Sequence, residues 1–185
     1  MYASLLLISR APCPVPRAPS MATKRILFVC TGNSCRSVMA QGLLQKRLKE
    51  WEHRLPGPIE VDSAGVFAIE GMSPSKETLK LLQREGVDLS SHMAKLLSDE
   101  MIRTADLVFV MEQFQLIELL RRVPEAKGKV HLLKAYGLPT AGELGDPNIP
   151  DPIGKPTEFY EVCFVTIRDA IARIANSLAP SKAGA

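Results

Sequence analysis

The run Lys24-Arg25-Ile26-Leu27-Phe28-Val29-Cys30-Thr31-Gly32-Asn33-Ser34-Cys35-Arg36-Ser37 changes character twice. Ile26 to Cys30 is short and continuously apolar, which suits a strand buried on both faces. Thr31 to Ser34 is a turn. Beyond it Val38, Met39, Leu43, Leu44, Leu48 and Trp51 recur at helical spacing, with Gln45, Lys46, Arg47 and Lys49 on the other faces. Outward from this strand, turn and helix the alternation continues. Ile59 to Val61 reads as a second strand, ending at Asp62-Ser63-Ala64-Gly65. A helix runs from Ser75, an N-cap, to Glu85, with Gly86 closing it. Leu107 to Met111 is a third strand and Phe114 to Val123 its helix, Val130 to Leu133 is a fourth strand, and Thr157 to Leu178 is a long closing helix. Strands separated by helical crossovers predict an α/β fold: a three-layer sandwich with a four-stranded parallel sheet and helices on both faces. Ligands of such sheets bind at the carboxyl ends of the strands, so the residues just after each strand are where chemistry is expected.

The loop after the first strand carries that chemistry. Gly32 and Asn33 tolerate the left-handed backbone that curls amides inward. The amides of Thr31, Gly32, Asn33, Ser34 and Cys35, with the N-terminus of the following helix, then form a cradle for a phosphate-sized anion. Arg36 adds a forked grip on the anion's oxygens, and Cys30, at the positive end of the helix, is placed as a nucleophile. A cysteine and an arginine at this spacing arise often by chance; the alternative is a buried strand-end cysteine beside a surface arginine. The strand, the turn and the helix around the pair favour the cradle.

Composition bounds the rest. The chain of 185 residues suits one domain, and 46% hydrophobic with 23% charged residues excludes a disordered or collagen-like protein. No apolar run reaches the roughly 18 residues of a membrane span. A net charge of +3 with scattered basic residues leaves no nucleic-acid footprint. Cys13, Cys30, Cys35 and Cys163 do not make a secreted disulfide framework, which points to a reducing, cytoplasmic setting with at least one thiol in chemical use. No His/Cys cluster has metal-ligand spacing, and neither a metal nor another cofactor is expected. Residues 1–22 are written differently: Met1 to Ser20 holds four of the chain's 14 prolines and no acid, so it reads as a disordered leader or extension. A transit peptide, or an upstream start with Met21 opening the folded chain, are the alternatives within that reading. Residues 23–179 form the expected domain and 180–185 a tail.

At Cys30-x5-Arg36-Ser37 the chain resembles the low-molecular-weight protein-tyrosine phosphatases, bacterial type, a family that includes protein-arginine phosphatases. The resemblance runs from about Arg25 to about Asn176 and takes in Asp62 to Gly65, Gly86-Val87-Asp88-Leu89-Ser90 to His92, Ala105-Asp106-Leu107-Val108 with Met111, and Asp151-Pro152. It implies that Cys30 attacks to form a phosphocysteine, that Arg36 and the loop amides stabilise the equatorial oxygens, and that Ser37 donates a hydrogen bond to the thiolate. Asn33, Ser63 and His92 resemble the family's network that holds the loop in shape. His53 and His131 have no such context and read as surface residues. Val38 stands where the family commonly has proline and Gln41 where it has an acid; both departures are expected to leave the reacting groups untouched.

A leaving group needs a proton donor. Asp146-Pro147 and Asp151-Pro152 compete, and the family's spacing to a helix tyrosine, here Tyr160, favours Asp151. The substrate the resemblance implies is a phosphorylated protein, hydrolysed by a monomer or weak dimer with no nucleic acid or membrane involved. Phosphotyrosine, with an apolar wall from Phe67 and Ile153, and phosphoarginine both remain open. Ser34 is small and hydroxylated, as is the threonine at that position in the arginine branch, whereas the tyrosine branch usually has isoleucine there. Arsenate reduction on the same loop needs two cysteines just after the third strand; Met111 to Leu120 has none. A non-catalytic phosphate-binding module would need neither Cys30 nor Asp151. Cys35, beside the nucleophile in a tight loop, reads either as a redox partner in a protective disulfide or as a small core residue.

Overall fold

The computed structural model describes residues 23–138 and 145–178; the expectations for residues 1–22 and 180–185 lie outside the described residues. In chain order the elements are β1 (Lys24–Cys30), α1 (Arg36–Glu50), β2 (Ile59–Gly65), α2 (Lys76–Arg84), α3 (Asp99–Thr104), β3 (Leu107–Val110), α4 (Gln113–Arg122), β4 (Val130–Leu132) and α5 (Thr157–Leu178). The strands pair in the order β2-β1-β3-β4, all parallel.

Alternation along β1 explains the three layers. Ile26, Phe28 and Cys30 enter one core with Val38, Met39 and Leu44 of α1 and Phe164, Ile167 and Ile171 of α5. Leu27 and Val29 enter the opposite core with Ile102 of α3 and Leu119 of α4. Each such side chain, once buried, contributes roughly 1.5–3 kcal/mol. Across the sheet Phe28 stacks on Phe109 at 5.6 Å, and Tyr136 meets Phe109 edge-on at 4.9 Å. Ser75 caps α2 by accepting the Thr78 N–H at 3.2 Å, and Gly86 beyond its end has φ +72°.

Three expectations change. β2 does not stop at Val61: Asp62 to Gly65 continue in register with Leu27 to Cys30, so the Asp-Ser-Ala-Gly stretch is part of the strand. α3 is an additional helix, short and with only Ile102 buried, and so it leaves little periodic trace. His131 is not a surface residue. It is half-buried on β4 with its ring 5.1 Å from Tyr136, and burial pushes its pKa down. His53 is exposed.

The chain leaves β1 for β2 on one side and returns to β3 on the other, so the reversal of strand order falls at β1. Cys30 and the loop after it stand at its carboxyl end, where ligands of such sheets bind.

Candidate active site

Cys30 is 2% exposed, and its Sγ receives the Asn33 N–H at 3.2 Å and lies 3.0 Å from Ser37 Oγ in the first turn of α1. Asn33 bends the loop. It is the one non-glycine residue with positive φ (+53°) among the described residues, a conformation asparagine tolerates better than most. Its Nδ2 donates to Ser37 Oγ at 2.9 Å and to Ser63 Oγ at 2.8 Å, and its Oδ1 accepts the Lys95 N–H at 2.8 Å. Because Ser37 Oγ accepts from Asn33, its own proton is left for the sulfur. Ser63 likewise passes its proton to Gln41 Oε1 at 2.6 Å. A relay of hydrogen bonds thus runs from Gln41 on α1 through Ser63 on β2 and Asn33 to the cysteine.

Backbone crowding supports the same turn. A Cβ on Gly65 would stand 2.7 Å from the Thr31 carbonyl oxygen and 2.8 Å from the Asn33 nitrogen, so glycine lets the loop pass close over β2. His92 is buried beside the loop. Burial pushes its pKa down, opposed by a hydrogen bond to the Asn33 backbone, and its Nε2 has no partner among the described residues.

Arg36 is fully buried at the start of α1. Nη1 donates to Glu112 Oε2 at 2.5 Å and to the Ile149 carbonyl at 2.8 Å. Nη2 donates to Thr31 Oγ1 at 3.1 Å and to Asp151 Oδ2 at 2.5 Å. Nε is buried without a partner among the described residues. Burial alone would lower the guanidinium's pKa, yet Cys30, Asp151 and Glu112 together hold it above its ordinary value. Asp151 is partly exposed, and its other oxygen accepts the Ile153 N–H at 3.1 Å.

The fold therefore gathers Cys30, Thr31, Asn33, Arg36, Ser37, Ser63, His92 and Asp151 at one strand end. Asp146 stays apart: it is exposed, and its carboxylate is taken by Asn148. Cys35 is buried with its Sγ 3.2 Å from Ser75 Oγ. Cys163 is buried on α5, and that burial pushes its thiol up to about 12. Glu112, Gln115 and the Ile149 carbonyl are parts of the site that local motif reading misses, because each reaches Arg36 or Thr31 from far along the chain. Among the described residues no group of three His, Cys, Asp or Glu could hold a metal ion, and no helix is long and apolar enough to cross a membrane.

A family model described as low molecular weight phosphotyrosine protein phosphatase matches residues 25–183. The chain belongs to this family. A relative named protein-arginine-phosphatase, from Geobacillus stearothermophilus, is 39% identical over 154 residues, covering 83% of this chain and 95% of that protein. The low molecular weight protein-tyrosine-phosphatase Ptp of Acinetobacter johnsonii is 34% identical over 152 residues, covering 82% and 96%. Among solved structures, the YwlE arginine phosphatase from G. stearothermophilus superposes with a TM-score of 0.71 at 39% identity, covering 84% of this chain and 92% of that one. The low molecular weight protein tyrosine phosphatase from T. tengcongensis gives 0.73 at 36% identity, covering 84% and 99%.

Membership makes this chain a cysteine-dependent protein phosphatase. It also sharpens the two departures noted above. Val38 is wholly buried against the core. Gln41 touches none of the reacting groups, and its amide oxygen is the terminus of the Ser63–Asn33 relay.

Proposed function

We propose that this phosphatase hydrolyses phosphotyrosine on proteins, with Cys30 as nucleophile, Arg36 as oxyanion clamp and Asp151 as general acid. The observation that carries the assignment is the buried, unpartnered Nε of Arg36 beside a cysteine whose sulfur already receives two hydrogen bonds. A buried guanidinium donor left without an acceptor is costly, and a phosphoryl oxygen in the loop would satisfy it. Thr31, Gly32, Asn33, Ser34 and Cys35 line that loop, their amides supplying the remaining donors.

The reaction runs in two displacements. The Cys30 thiolate attacks phosphorus, the P–S bond forms as the P–O bond to the leaving group breaks, and Asp151 gives that oxygen its proton. Water then attacks the phosphocysteine while Asp151 takes its proton, and the P–S bond breaks to return the thiolate and inorganic phosphate. With the anion bound to Arg36, the partly exposed Asp151 gives up its ion pair and turns its carboxyl to the leaving group. Ser37 and Asn33 keep the sulfur and loop in place, with Ser63 and His92 behind them.

Exposed Phe67 and Ile153 offer an aromatic substrate apolar walls, and the protein-tyrosine relatives fit that reading. Protein-arginine phosphatase activity is the second reading. It is favoured by Ser34, half-buried with its carbonyl receiving the Ser75 N–H at 3.0 Å and its small hydroxyl at the loop, and by the 39% identity to a protein-arginine-phosphatase. Cys35 is the proposed redox partner of Cys30. The working form is a monomer or weak dimer in the cytoplasm.

Paired hydrolysis of phosphotyrosine and phosphoarginine peptides by wild type, Cys30→Ser and Ser34→Ile tests both readings. Strong phosphotyrosine turnover by the wild type is expected. Phosphoarginine turnover that Ser34→Ile exchanges for phosphotyrosine turnover would move the chain to the arginine branch. Any turnover retained by Cys30→Ser would end the mechanism.

A further inference from the structure

We infer that Gln115 is a positioning residue for this reaction, closing a ring of hydrogen bonds that sets the plane of the Arg36 guanidinium; the inference rests on the phosphatase reading above. Gln115 lies in the first turn of α4 and is wholly buried, so each half of its amide needs a partner. Oε1 accepts the Met111 N–H at 2.8 Å and the Glu112 N–H at 3.2 Å. Those two donors lie at the N-terminal end of α4, where backbone N–H groups have no acceptor inside the helix, so this half of the side chain serves the fold. It also fixes which way the amide faces, since an NH2 group there would confront two donors.

Nε2 is thereby aimed at the site. It donates to Thr31 Oγ1 at 3.3 Å and to Glu112 Oε2 at 3.4 Å. The same two oxygens receive Arg36: Glu112 Oε2 takes Nη1 and Thr31 Oγ1 takes Nη2. The circuit Arg36–Glu112–Gln115–Thr31–Arg36 is closed. A guanidinium held at both Nη atoms by acceptors that are themselves cross-braced has one orientation left, with Nε free for the phosphoryl group. Without the Gln115 bridge, Glu112, which is partly exposed, and the Thr31 hydroxyl could each rotate independently. Arg36 would keep its charge and its ion pairs but lose the geometry that the transition state requires.

One substitution separates the two halves of the side chain. Gln115→Glu keeps an oxygen for the Met111 and Glu112 amides but replaces the donor facing Glu112 and Thr31 with a second carboxylate oxygen. Gln115→Met removes both halves. The measurements are kcat and KM on p-nitrophenyl phosphate, inhibition constants for inorganic phosphate and for vanadate, and the thermal midpoint. For Gln115→Glu the expected result is a fall in kcat of roughly tenfold to a hundredfold, with a lowered midpoint because a second carboxylate is buried beside Glu112. KM and phosphate inhibition change little, while vanadate, a mimic of the five-coordinate transition state, weakens in step with kcat. Unchanged kcat and vanadate affinity in Gln115→Glu would overturn the inference. Phosphate and vanadate inhibition that weaken together in both variants would overturn it as well, since the residue would then be structural only. An inactive wild type would instead remove the phosphatase reading itself.

Discussion

Asn33 holds a left-handed backbone while bonding to both sides of the loop, to Ser37 and Ser63 through its amide nitrogen and to the Lys95 N–H through its oxygen. Asn33→Ala removes these bonds and leaves a residue that dislikes the conformation by roughly 1–2 kcal/mol. We expect kcat/KM to fall by at least about tenfold, since relaxing the turn misplaces the amides and the Ser37 proton together. Activity within twofold of wild type, by steady-state kinetics, would mean that the loop shapes itself without this side chain. Asp151 makes a different prediction, because a general acid matters in proportion to how badly the leaving group needs its proton. Asp151→Asn should slow phenyl phosphate hydrolysis by roughly a hundredfold or more and 2,4-dinitrophenyl phosphate far less. Equal losses on both esters would show that Asp151 serves Arg36, its ion-pair partner, rather than the leaving group.

At the scale of elements, β2 and the loop after β1 share one tight contact at Gly65. Gly65→Val puts carbon against the Thr31 carbonyl and the Asn33 amide, both backbone, so the loop must move. Loss of most phosphatase activity is the expected outcome, together with weaker binding of inorganic phosphate measured by calorimetry. Wild-type phosphate affinity in that variant would contradict the close approach. The same contact shows how far local sequence carries the reading. β1, its loop and α1 are legible because an apolar run, a turn and a helical spacing lie end to end, and α5 is long enough to declare both of its ends. α3 is not, since one buried residue in a short helix leaves no period to detect. Asp62 to Gly65 lack the apolar run of Ile59 to Val61 and are held as strand through pairing with β1. Cys30 and Arg36 could be named from their place between a strand and a helix, and Ser37 from the family resemblance. Glu112 and Gln115 could not, because their places beside Arg36 and Thr31 follow from the strand order that sets β3 next to β1.

Over the whole molecule, the buried His92 and the half-buried His131 link the fold to pH. Burial lowers the pKa of His92 beside the loop and of His131 on β4, so the folded state binds protons less readily than the unfolded chain, whose histidines titrate near about 6.5. Stability from this source is complete above that value and is lost as pH falls through it toward the folded pKa values. Urea midpoints should therefore drop between about pH 7.5 and about pH 5.5, and the drop should shrink in a His92→Gln, His131→Gln double variant. An identical drop in the variant would place the acid sensitivity elsewhere.

The parallel sheet, its two cores and the reversal of strand order at β1 all serve to hold one sulfur at the carboxyl end of the sheet, where the proposed phosphoryl transfer would occur. The most direct test of that claim is to quench the enzyme in acid during turnover of a phosphotyrosine peptide and map the phosphoryl group by mass spectrometry. A phosphoryl group on the peptide carrying Cys30 is expected, and no sustained release of phosphate by Cys30→Ser under the same conditions. A phosphoryl group on any other residue of the wild type, or full turnover with none trapped on Cys30 even when Asp151→Asn slows its release, would contradict it.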